Sequence, residues 1–136
     1  VLRTVTLSSV LGRAFEVNDG SALVVEDTFL ATAGVMTFGG AVRVHPGASA
    51  TLRNVVIEGG TAAGRGGQIH AEQGMVTLER CTLAGGVAQD GGGAVSMQGG
   101  GSLIIRDSML VGATSYGDGG AIFKFVPATA WSGARR

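Results

Sequence analysis

Four Gly-Gly pairs open at Gly39, Gly66, Gly92 and Gly119, at spacings of 27, 26 and 27 residues, and this interval limits what the chain can fold into. A repeat length kept so closely marks structural units that stack on one another, because a single unit of this size cannot bury its own apolar face. Counting back 27 from Gly39 reaches Gly12, whose sequence Gly12-Arg13-Ala14-Phe15-Glu16-Val17 parallels Gly40-Ala41-Val42-Arg43-Val44 with one glycine lost. Units therefore open near residues 12, 39, 66, 92 and 119. Residues 1–11 read as the tail of a preceding coil. Residues 127–136, which include Trp131, abandon the pattern and read as an irregular tail or cap after coils spanning 1–126.

Aligned by this interval, the units form columns. Phe15, Val42, Ile69, Val95 and Ile122 make one, and Val17, Val44, Ala71 and Met97 make another two positions on, the period-two alternation of a half-buried strand. Leu23, Ala50, Val76 and Leu103, followed by Val25, Leu52, Leu78 and Ile105, give a second strand. Two polar residues then reset the parity. Thr28, Val55, Cys81 and Ser108, with Leu30, Ile57, Leu83 and Leu110, supply a third. Three short strands closing within about 27 residues describe one turn of an all-β, right-handed parallel β-helix of about five coils, with rungs about 4.8 Å apart. The 25 glycines against two prolines and 5% aromatics fit a chain of many tight turns, and 45% hydrophobic residues suffice for a packed interior. A β-sandwich does not require a constant repeat, and the Leu/Asn spacing of leucine-rich repeats is missing.

The outward positions look like register devices. Glu26, Arg53, Glu79 and Arg106 recur once per coil with alternating sign, and beside them Asp27, Asn54, Arg80 and Asp107 avoid stacking like charges. Glu16 falls below Arg43, and His45 below Glu72. Ten basic and ten acidic residues cancel without any block of one sign, which gives no footprint for nucleic acid or for a polybasic membrane surface. No apolar run is long enough for a transmembrane span. The lone Cys81 gives no disulfide framework.

Catalytic and cofactor motifs do not emerge. The acids do not converge on one face, and His45 and His70 with Glu72 are too few for an evident metal site. Gly91-Gly92-Gly93 and Gly64-Arg65-Gly66-Gly67 lack the Lys-Ser/Thr ending of a phosphate loop. What stands out is the outward face of the third strand: Phe29, Val56, Thr82 and Met109, flanked by Ala31, Glu58, Ala84 and Val111. Such an apolar strip marks an interface, so Phe29, Val56, Thr82, Met109 and Val111 are the candidate partner-binding residues. A protein partner, a second copy or a folded-back terminus would cover them.

Gly119-Gly120-Ala121-Ile122, its variants Gly39-Gly40-Ala41-Val42 and Gly92-Gly93-Ala94-Val95, and Leu103-x-Ile105-x-x-Ser108-x-Leu110 resemble the repeats of polymorphic outer-membrane proteins, which are similar in fold to pectate lyases. The resemblance covers residues 12 to about 125. It implies a secreted or surface-displayed chain at the cell exterior, acting as a structural or adhesive module without enzymatic activity, or as a subunit of a larger assembly. The alternative is a fragment of a carbohydrate-active lyase or hydrolase, with carbohydrate as its ligand.

Overall fold

A computed structural model describes residues 2–3, 6–10, 15–36, 39–99, 101–117 and 120–125. It is an all-β parallel solenoid. One sheet holds five short strands, Phe15–Val17, Val42–Val44, Ile69–Glu72, Val95–Gln98 and Ile122–Phe125, stacked in that order. The other, long sheet holds ten strands; its central rungs are Ala22–Met36 and Ser49–Ala62, and its last is split into Ser102–Arg106, Met109–Val111 and Thr114–Ser115. All pairings are parallel.

The pairing register reproduces the sequence columns. Phe15, Val42, Ile69, Val95 and Ile122 are successive partners, as are Leu30, Ile57, Leu83 and Leu110. Alternation then decides burial: Val42, Val44, Ile69, Leu52, Leu78, Ile57 and Leu83 are fully enclosed, each contributing about 1.5–3 kcal/mol by leaving water. About three complete turns are present, slightly below the five coils the spacing suggests. Residues 11–14 and 126–136 of the first and last coils, including the expected cap and Trp131, lie outside the described residues.

Two of the corners in each coil follow from residue type. Between the second and third strands, Asp27, Asn54, Arg80 and Asp107 take left-handed backbone angles, with φ of 52°, 52°, 52° and 50°. Asp and Asn tolerate this region because their short polar side chains bond locally. The turn flips the alternation, which is why the parity resets. One residue later, side chains lock the bend: Thr28 Oγ1 donates to Glu26 O at 2.8 Å and Ser108 Oγ to Arg106 O at 2.8 Å. Cys81 Sγ makes the same contact with Glu79 O at 3.3 Å and also bonds Leu52 O at 3.2 Å. Burial pushes the Cys81 thiol pKa up, so it stays protonated at neutral pH.

The second corner is the Gly-Gly pair, where the two glycines do different work. Gly66 has φ +70°, the left-handed turn itself. Gly67 is needed for space: a Cβ there would sit 2.5 Å from Val87 N and 2.6 Å from Val87 O, besides overlapping Gly93 O. Val87 opens a fourth strand that the repeat pattern does not reveal, Val87–Ala88, paired with Thr61–Ala62 below and Thr114–Ser115 above. The end of each coil thus closes against its own beginning through a glycine.

Candidate functional site

The candidate strip is continuous. Phe29, Val56, Thr82 and Met109 are register partners on successive rungs, with Ala31, Glu58, Ala84 and Val111 in the adjacent column. Four rungs span roughly 14 Å at the usual strand spacing. Exposure rises along the strip: Phe29, Val56 and Thr82 are half-buried, whereas Met109 is 58% and Val111 43% exposed. The last rung also leaves Leu110 partly open, although Leu30, Ile57 and Leu83 in its column are sealed. Tyr116, 70% exposed, lies just beyond on the same rung.

Beside this strip runs the charge ladder. Arg53 bridges Glu26 at 3.1 Å and Glu79 at 2.9 Å, and Arg106 reaches Glu79 at 3.2 Å. Asn54 Nδ2 donates to Asp27 Oδ1 at 2.7 Å. Hydrogen bonds from Arg53, then Arg106, hold the Glu79 carboxyl below the ordinary 4.5, and the bonds to Glu79 and Glu26 raise the Arg53 guanidinium. A carboxylate whose pKa is depressed by folding stabilises the fold above its unfolded pKa, and that contribution is lost as pH falls through the folded value. Acid titration of Glu79→Gln should therefore show a shallower loss of stability below pH 4.5 than the parent, with the two converging at the acid end; urea denaturation at several pH values checks it.

On the short sheet the side-chain pairs run diagonally. Arg43 Nη2 bonds Glu72 Oε1 at 2.9 Å and His45 Nε2 meets Glu16 Oε2 at 2.6 Å, where the columns alone place Glu16 under Arg43 and His45 under Glu72. Long side chains reach past their register partner. Among the described residues no three His, Cys, Asp or Glu side chains lie close enough to hold a metal ion.

Three buried polar side chains depart from the sequence pattern. His70 and Ser96 occupy outward positions on neighbouring strands, yet both are fully enclosed. Gln68 replaces the alanine found at Ala41, Ala94 and Ala121 in the corner column. It turns into the coil, where its Nε2 donates to Ile57 O at 3.2 Å, Gly59 O at 2.8 Å and Ala84 O at 2.9 Å. At the lower end, Phe15, Glu16, Val17, Asn18, Ser21, Ala22 and Leu23 line a cavity of about 220 Å³. No helix among the described residues is long and apolar enough to cross a membrane. The chain matches no protein-family model, and neither the curated proteins nor the solved structures compared with it gave a match.

Proposed function

We propose that this chain is a non-enzymatic structural or adhesive β-solenoid module of a secreted or surface-displayed protein, engaging a protein partner or another copy through its apolar strip. The observation that carries this reading is the strip itself: Phe29, Val56, Thr82 and Met109 stacked in register, with Met109 and Val111 open to solvent. Contiguous apolar surface of this kind is what interfaces use. The resemblance to polymorphic outer-membrane repeats supports the same role. The charged side chains favour it too, since Glu26, Arg53, Glu79 and Arg106 bond one another along the stack.

The test pairs Val56→Asp with Met109→Asp, both pointing out of the core. Thermal unfolding should change little. Sedimentation over a range of concentrations, and clustering of beads coated with the protein, should show association in the parent and its loss in the double variant. Unchanged association would reject the strip as the interface. Release of reducing or unsaturated ends from a polysaccharide panel would overturn the non-enzymatic reading in favour of a carbohydrate-active fragment.

A further inference from the structure

The sequence holds three Asp-Gly pairs, Asp19-Gly20, Asp90-Gly91 and Asp118-Gly119, of which the last lies outside the described residues. In such pairs the unhindered glycine nitrogen can attack the preceding side-chain carboxyl. We propose that Asp19 is a site of spontaneous isoaspartate formation in the folded protein, while Asp90 is protected by its place in the stack.

The two pairs sit in different surroundings. Asp19 and Gly20 are the tip of an exposed turn closed by the Ser21 N–H bonding Asn18 O at 3.0 Å, and Asn18 and Ser21 both border the open cavity at the lower end. The Gly20 N–H has no acceptor among the described residues, whereas Gly47, in the corresponding turn one rung up, donates to Gln73 O at 3.1 Å. A Cβ built on Gly20 would meet no described residue within 4 Å, so the turn has room to rearrange. Around Asp90 the backbone is fixed on both sides. Its N–H donates to Gly64 O at 2.8 Å, buried Gly91 is bridged in parallel to Arg65 and accepts from Gly66 N–H at 3.0 Å, and Gly117 packs directly on the Asp90 carbonyl. Ring closure at Asp90 would have to break this lattice.

The chemistry needs only water. The Gly20 nitrogen lone pair attacks Cγ of the protonated Asp19 carboxyl, an N–Cγ bond forms, and one carboxyl oxygen leaves as water with the amide proton. Water then opens the five-membered imide. Attack at Cγ restores aspartate; attack at the main-chain carbonyl carbon leaves the backbone running through Cβ and Cγ, one carbon longer, with the former main-chain carbonyl as the free carboxylate. The modified chain is an isomer of the original. The extra carbon falls in the turn that feeds Ala22–Met36 onto the stack.

Trypsin separates the sites, since cleavage at Arg13, Arg43, Arg80 and Arg106 places Asp19 in peptide 14–43 and Asp90 in peptide 81–106. The intact protein is aged at neutral pH and body temperature, digested, and scored with an isoaspartate-specific carboxyl methyltransferase and by fragmentation mass spectrometry. Isoaspartate in 14–43, normalised to the same peptide aged free in solution, should exceed that in 81–106 about tenfold, and Asp19→Glu should abolish it. Equal normalised rates, faster reaction in 81–106, persistence in Asp19→Glu, or no isoaspartate in the aged protein would each overturn the proposal.

Discussion

Replacing Gly67 with alanine is expected to cost more than any single surface change in this protein, about 4 kcal/mol or more, and to leave the chain largely unfolded at ambient temperature. The reason is geometric. The new methyl would fall 2.5 Å from Val87 N and 2.6 Å from Val87 O and would overlap Gly93 O, all of them backbone atoms held by neighbouring rungs. Side chains can rotate away from a clash, whereas paired strands cannot move apart without losing hydrogen bonds along the rung. Gly40 and Gly93 stand in equivalent places, against Thr61 N at 2.7 Å and Thr114 N at 2.6 Å. The matched control is Gly120, the second glycine of the last pair, where a Cβ meets no described residue within 4 Å. Gly120→Ala should change stability by less than about 1 kcal/mol. Circular dichroism with urea titration of the two variants decides it; similar behaviour of both would show that close approach is not what the second glycine provides.

The second large effect is expected at Gln68. Gln68→Glu would set a carboxylate against the three carbonyl oxygens of Ile57, Gly59 and Ala84 that the amide now satisfies. An enclosed charge facing only acceptors should cost on the order of 4 kcal/mol at neutral pH. Burial raises the folded-state pKa of that new carboxyl, so the penalty grows as pH rises above about 4.3, the unfolded value, and shrinks below it. The stability difference from the parent should therefore narrow in acid, where the protonated group can donate one bond. Gln68→Ala restores the residue of Ala41, Ala94 and Ala121 but removes three hydrogen bonds to enclosed carbonyls, for a loss of about 1–3 kcal/mol. Urea midpoints at pH 4 and pH 7 separate these cases. A pH-independent deficit in Gln68→Glu would mean that the carboxylate escapes to solvent.

The Gly-Gly pair is explicit in the sequence, but the Val87 backbone it packs against and the inward turn of Gln68 are not. The columns Val42-Ile69-Val95 and Leu30-Ile57-Leu83 are legible because a strand face repeats every second residue and every coil lines up, so register, core and the Glu26–Arg53–Glu79–Arg106 ladder follow from counting. Gln68 is not legible: it precedes inward Ile69, and only the bend at Gly67 turns both inward. The strand Val87–Ala88 has two residues, too few for a period. His70 and Ser96 point outward as alternation requires, but alternation says nothing about what lies over that side. The diagonal pairs Arg43–Glu72 and His45–Glu16 depend on side-chain reach. The candidate strip was readable by position and composition; its gradient from half-buried Phe29 to open Met109 depends on the rung at which each residue sits.

The alternating ladder also constrains how such a chain can change length. Excising one coil, residues 66–91, would remove Glu79 and bring Arg53 directly beneath Arg106, two guanidinium groups one rung apart. Excising two coils, residues 39–91, would instead set Glu26 beneath Arg106 and keep an attractive pair. The hydrophobic columns tolerate either deletion equally, because every coil offers the same faces. In the Glu26–Arg53–Glu79–Arg106 column the favourable step is thus two coils, whereas the neighbouring column opposes that step, since the same excision sets Asp27 beneath Asp107.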